Sequence, residues 1–475
     1  MSRHSKIVLA AAAATSGCGI IHSVPSEPPP PVSVPERFSA SSEPAAERPR
    51  LDEGWWRSFA DPELDRLVET AFEKNLDLDA AYARLAAAAA SAGVAVSAFI
   101  PTVDVQARVS NGQQVINFGT GPQSFEQSAL TPQATLSYEL DLWGRINGTR
   151  NAANSDLRAS RDDLATMYVT VSSNVVDTWL QVIEQRATLA LLEDQLEVNR
   201  TFLELVELRF RQGISSALDV FQQRQQAASV EASIPPVKAN LGVLEHQLAL
   251  LLGRVPGSVA VARVDLPELP AAPDVGLPAE LLLARPDVRS AQARVVAADH
   301  RIATAIAARF PRLTLSASGG SNGFNLTQGI LENFFYNLAA NLVVPLTDQV
   351  RLHYEQKRVE AQMKENLANY GKTVLTAFRE VEDALVREAR QDELLIEIQK
   401  QVELAQATLK EARTRYRNGL SDYLPVLTAL QTLQNSEQRL VAAERQRLSL
   451  RVQLCRALGG RWASNLASAP RKEAS

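Results

Sequence analysis

Hydrophobic and polar positions change period in a fixed order along this chain, and the order occurs twice. From Leu64 to Ala98 apolar residues recur at helical spacing, with Gly93 the one internal breaker, which predicts a helix. From Thr102 to Ser110 the period drops to two: Val103, Val105, Ala107 and Val109 alternate with Asp104, Gln106, Arg108 and Ser110. That is a strand with one apolar and one wet face. A stretch rich in Gly, Asn and Gln reads as a loop, after which Ala134, Leu136, Tyr138 and Leu140 alternate again. Helical spacing then resumes from Ile146 to Gln212 almost without Gly or Pro. At 1.5 Å per residue such a helix reaches ~100 Å. It stops at Gly213, and a shorter helix from Leu218 to Leu252 turns back, an αα-hairpin with a glycine C-terminal cap. Pro235 and Pro236 inside the return helix predict a bend.

The second half repeats this order. AVSAFIPTVDVQA (Ala95 to Ala107) is matched by AIAARFPRLTLSA (Ala305 to Ala317), and RFRQGISSALDV (Arg209 to Val220) by RYRNGLSDYLPV (Arg415 to Val426). Two such anchors at nearly the same offset make the chain a tandem duplication of a unit of about 200 residues. In the second copy a helix runs from Pro286 to Arg309. Strands follow at Leu313, Leu315 and Ala317 and at Leu338, Ala340, Leu342 and Val344. A long helix from Leu352 to Asn418 ends at Gly419, and Asp422 to Leu458 returns. Each return helix covers about half its long partner, so a second short helix must cover the rest. The expected organisation is residues 1–17 signal peptide, 18–50 lipid-anchored linker, 51–252 first repeat, 253–285 equatorial linker, 286–458 second repeat and 459–475 tail.

Strands of roughly nine to eleven residues match a tilted transmembrane strand, and a charged, amide-rich second face suits a water-filled lumen. Four strands per chain cannot close around a lumen, and open edges in lipid leave backbone groups unpaired. A passage for solutes requires roughly twelve strands, so three copies are the smallest symmetric answer. The competing reading is a periplasmic coiled-coil scaffold or tether without a pore.

Composition narrows the function. With 22% charged residues and a net charge of -5, the chain has no bulk basic field for nucleic acid. Cys18 and Cys455 lie at opposite ends in unlike contexts, so no disulfide framework is implied. Cys455, on an apolar stretch, reads as core packing. Arg3, His4 and Lys6 precede an apolar run from Ile7 to Ala14, too short to span a bilayer, and then Ser16, Gly17 and Cys18. The run resembles an export signal ending in a bacterial lipobox, with Thr15 where leucine is usual; it implies a covalent lipid on Cys18. Gly19 after it favours outer-membrane sorting. Val24 to Pro49 has the Pro, Ser and Glu content of an unstructured tether. His4, His22, His246, His300 and His353 show no metal-ligand spacing, and no phosphate loop or nucleophile motif is present, so no metal, cofactor or catalytic residue is expected.

Trp55 and Trp56, Phe59 to Pro62, Asn75 to Leu78, YELDLWGR from Tyr138 to Arg145, LALLLG from Leu248 to Gly253 and RPDVRSA from Arg285 to Ala291 resemble the TolC and NodT type of outer-membrane efflux lipoprotein. The resemblance extends from Leu51 to Leu458. It implies a mixed α and β membrane protein: a homotrimer with a 12-stranded transmembrane β-barrel, four strands per chain, continued by a long periplasmic α-helical barrel. It also implies a passive exit duct in the outer membrane, with a periplasmic adaptor and an inner-membrane pump of the resistance-nodulation-division class as partners. By the same resemblance the tips Gly213, Ile214, Ser215, Gly419, Leu420 and Ser421 meet the adaptor. Family members often gate with aspartates just after the second tip; Pro425 and Thr428 stand there, so Asp422 with Arg415 or Arg417 is the substitute candidate.

Overall fold

A computed structural model of the chain describes residues 22–25, 27–39, 54–117, 119, 121–321, 334–460 and 462–468. Cys18 and the signal segment lie outside the described residues, as do residues 19–21, 26 and 40–50 of the segment expected to follow them. The fold resolves into two compact units. The first gathers the chain up to Pro31, Leu85–Ser160 and Ala291–Tyr370; the second gathers Val32–Arg84, Arg161–Ser290 and Gly371–Ser475. The elements in order are α1 (Pro62–Lys74), α2 (Leu76–Ser97), β1 (Thr102–Asn117), β2 (Pro122–Leu140), α3 (Arg145–Arg211) and α4 (Ala217–Leu251). They continue as α5 (Pro278–Ala284), α6 (Pro286–Ala307), β3 (Arg312–Ser321), β4 (Phe334–Val343), α7 (Gln349–Arg417), α8 (Leu424–Leu458) and α9 (Trp462–Ser468).

In the first unit the four strands form one antiparallel sheet in the order β1-β2-β3-β4. Thr102 faces Ser137, Leu313 faces Leu140 and Arg312 faces Val343. β1 and β2 span 16 and 19 residues, longer than expected, because the stretch assigned to a loop is strand as far as Asn117. Gly, Asn and Gln pack poorly on a pleat. Every residue from Asn111 to Asn117 nonetheless pairs with β2, and that continuous ladder outweighs side-chain preference. The turn falls at Gly119 and Gly121, with φ 86 and 114.

The YELDLWGR motif is the strand-to-helix junction of this unit. Gly144 takes φ 77, a left-handed value that suits glycine. The Asp141 carboxylate accepts from the Ile146 and Asn147 amides at 3.0 and 2.8 Å, satisfying donors that the first turn of α3 leaves open. Trp143 donates from Nε1 to Pro311 O at 2.7 Å and stacks on Phe310. Arg145 sits where a helix N-terminus disfavours a cation, and it folds back onto Glu139 in a two-point pair at 2.9 and 2.8 Å.

The second unit is helical. α3 and α7 run 67 and 69 residues, as sequences almost without Gly or Pro predict. The expected single helix from Leu64 to Ala98 is two helices, because Asn75 interrupts it. The Asn75 carboxamide accepts from the Asp77 and Leu78 amides and donates to Leu251 O, capping α2 while tying it to the end of α4. α4 continues through Pro235 and Pro236 as one helix. An aromatic cluster of Trp56, Phe72, Tyr168 and Trp462 docks α9 with edge-on contacts 4.9–5.3 Å between ring centres.

The linker from Gly253 to Arg285 is irregular except for α5, and it is pinned by charge. Arg263 pairs with Asp61 at 2.7 Å. Arg285, 9% exposed, reaches Asp287, Glu380 and Ala457 O; burial works against its charge, and the two carboxylates outweigh burial and hold its pKa above the ordinary value. Arg451, also buried, pairs with Glu388 and donates to Pro270 O. Cys455 is a free thiol in this core, and burial pushes its pKa up to about 12.

The N-terminal segment departs from the expected loose tether over its described part. In the first unit His22 Nε2 lies 2.6 Å from Asp299 Oδ1, and Gln292 donates to Pro28 O. In the second unit Phe38 is buried, and Ser39 donates from N and Oγ to Glu382 at 2.6 and 2.8 Å.

Candidate functional site

Two regions are candidates for function: the sheet and the hairpin tips. β1 is exposed on both faces within one chain, with Val105 81% exposed on its apolar face. β4 likewise exposes Phe334, Tyr336, Leu338 and Leu342. A strand half-buried against a core would hide one of its faces; β1 and β4 hide neither. Its outer strands β1 and β4 each pair on one side only among the described residues. The arrangement suits lipid on one face, water on the other, and further strands at both edges.

Also in the first unit is a cavity of about 970 Å³ between α3, α6 and α7. Its arginines are paired: Arg145 with Glu139, Arg301 with Asp156, Arg351 with Asp348 and Arg358 with Glu355. The fifth arginine of this lining, Arg312, forms no ion pair among the described residues. Hydrogen bonding to Arg351 holds the Asp348 carboxyl below its usual range, and Arg358 does the same for Glu355. Burial pushes Asp156 the other way, against the opposing pull of Arg301.

At the tips, the six expected contact residues lie at the turns. Gly213 and Gly419 adopt φ 73 and 71. In each turn the glycine amide donates to Phe210 O or Tyr416 O, and the next amide to Arg209 O or Arg415 O, so both helices end in a Schellman closure. A Cβ on either glycine would meet nothing within 4 Å; the backbone angle, not crowding within the chain, requires glycine. Ile214 and Leu420 are exposed. Ser215 donates to Asp219, and Ser421 to Asp422 O. The gate candidates Asp422, Arg415 and Arg417 are exposed, and among the described residues no ion pair joins them within the chain.

Above the turns the two hairpins share an apolar core of Phe202, Val206, Val220, Tyr416, Tyr423, Val426, Leu427 and Leu430. Beside it runs a buried polar network that sequence reasoning missed. Tyr423 donates to Gln223 Oε1 at 2.6 Å, Gln223 donates to Asn199, and Asn199 to Gln195 O. Gln195 donates to Gln434 O and Glu437 and accepts from Gln438; Gln226 links Gln431 to Gln434. The available signal was amides at helical spacing inside an apolar stripe, Gln195 and Asn199 between Leu192, Leu196 and Phe202. Burial raises the Tyr423 pKa well above its ordinary value, so this hydroxyl stays a donor.

The sequence matches the family model described as outer membrane efflux protein over residues 67–254 and 277–460. It is 33% identical over 423 residues to the pyoverdine export outer membrane protein OpmQ of Pseudomonas putida, covering 86% of this chain and 88% of that one. With nodulation protein T of Rhizobium leguminosarum it shares 26% identity over 451 residues, 94% of each chain. The solved outer-membrane channel OprN superposes with a TM-score of 0.87 at 27% identity, covering 93% of this chain and 99% of that one. Sheet, long hairpins and internal duplication thus coincide with those of trimeric outer-membrane channels. The chain belongs to the outer membrane efflux protein family, and it is an efflux channel subunit of the outer membrane.

Proposed function

We propose that three copies of this chain join their four-stranded sheets into one transmembrane barrel of twelve strands, and that the long hairpins continue it as a periplasmic tube. The tube is a passive exit duct for small molecules. It does no chemistry itself, and an inner-membrane pump of the resistance-nodulation-division class supplies energy and direction through a periplasmic adaptor. The tips Gly213, Ile214, Ser215, Gly419, Leu420 and Ser421 meet that adaptor. Asp422 pairs with Arg415 or Arg417 of a neighbouring copy to hold the tips together, and a diacylglyceryl group on Cys18 anchors the N-terminus. The observation that carries this reading is a sheet whose outer strands β1 and β4 are exposed on both faces and, among the described residues, pair on one side only, a state that neither a scaffold nor a soluble enzyme tolerates.

Detergent-extracted protein is expected to run as a heat-modifiable trimer, to conduct ions across a planar bilayer and to carry the lipid mass on Cys18. Asp422→Ala is expected to raise the leak current. Water-soluble monomers without conductance would overturn the duct; a leak that Asp422→Ala leaves unaltered removes the gate assignment, and an unmodified Cys18 removes the anchor.

A further inference from the structure

The charges at the two turns are unbalanced. Over residues 208–219 and 414–425 stand Arg209, Arg211, Arg415 and Arg417 against Asp219 and Asp422. Asp219 is engaged in the capping box of α4, accepting from Ser215 Oγ and the Ser216 amide. Arg209 Cζ lies over the Tyr416 ring, 4.4 Å from its centre. Arg211, Arg415 and Arg417 are exposed and, among the described residues, have no carboxylate partner within the chain. Cations in a last helical turn also complement the helix dipole, but that role is filled whether or not they meet a solute. The charged cavity of the first unit differs, since every arginine in it except Arg312 is neutralised at contact distance.

We infer that the tips form an electropositive mouth that admits anionic solutes in preference to cations, with Arg211, Arg415 and Arg417 setting the preference. This rests on the reading of the tips as the periplasmic end of the duct. Three-fold symmetry repeats the imbalance around the axis, and pairing of Asp422 with Arg415 or Arg417 of a neighbour still leaves two unpaired cations per chain. A ring of like charge around a narrow opening raises the local concentration of counter-charged solutes. The preference is therefore strongest at low ionic strength and fades as the Debye length shrinks to a few ångströms near 1 M salt.

The test is the reversal potential of purified trimers in a planar bilayer under a potassium chloride gradient. Wild-type channels are expected to be anion-preferring at low salt. The triple variant Arg211→Gln, Arg415→Gln, Arg417→Gln is expected to lose at least half of the anion-over-cation permeability ratio, whereas Lys at all three positions retains it. A cation-preferring wild type, or a glutamine triple variant with the wild-type reversal potential, overturns the electropositive mouth. Absence of any conductance would instead count against the duct itself, so the two failures are distinguishable.

Discussion

The two hairpin tips descend from one repeated unit, close with the same backbone geometry, and have nonetheless been put to different uses. Phe210 of the first tip corresponds to Tyr416 of the second, Ala217 to Tyr423, and Phe221 to Leu427. In the second tip all three side chains are buried; in the first, Phe210 and Phe221 stand 46% and 64% exposed and Ala217 is exposed as well. The return helices start differently too. Ser216 and Asp219 form a reciprocal capping box for α4, whereas α8 begins at Tyr423 without a side-chain cap and with a proline in its first turn. Duplication kept what the backbone needs to turn around. Divergence decided at which of these matching positions a side chain enters the shared core and at which it stands exposed.

The strongest way to break this comparison is to remove the side chain on which the second tip is built. Tyr423, 1% exposed, fills the core between both hairpins, so Tyr423→Ala is expected to cost ~3–5 kcal/mol of local stability. Hydrogen exchange should show lost protection in both tips, because the core is common to them. Ala217→Tyr at the matching place in the first tip should leave exchange unchanged, since it only adds a ring to an exposed surface.

A smaller effect separates the polar network from the apolar core. Gln223 is fully buried and answers both Asn199 and the Tyr423 hydroxyl. Gln223→Leu preserves bulk but orphans buried polar groups, at about 1–3 kcal/mol each. Exchange should rise where α3, α4 and α8 meet while trimers persist. A variant as protected as wild type would make the network dispensable.

These amides show where the sequence was legible. Periods of two and 3.6 announced the strands and helices, and the repeated Gly213 and Gly419 announced the tips, because burial against a partner or exposure to lipid imposes those periods directly. What escaped detection was local competition. Asn75 looked like one polar residue within a helix, yet its carboxamide caps the next helix. Asn111 to Asn117 looked like a loop, yet pairing with β2 makes it strand. Gln195, Gln223 and Gln434 carried no signal of their own, because amide type does not reveal whether its hydrogen bonds go to water or to a neighbour. Asp422 illustrates the other limit: among the described residues no ion pair forms at its carboxylate, and one chain's sequence does not show what stands opposite it.

The smallest expected stability change tests where the tips remain alike. With φ 73 and 71 and open space around both glycines, a side chain at either costs only the left-handed backbone conformation, ~1–2 kcal/mol. Asn tolerates that conformation, so Gly213→Asn and Gly419→Asn should keep trimers and most efflux. Gly213→Trp and Gly419→Trp should also keep trimers, because each tip is anchored by the core above it, and yet each should abolish efflux if the turns press against the adaptor. If tryptophan at both sites leaves drug efflux at the wild-type level, the glycines serve only to end their helices and the adaptor grips elsewhere. If Gly213→Trp alone is silent, the divergence between the tips extends to the partner, and the second hairpin carries the contact.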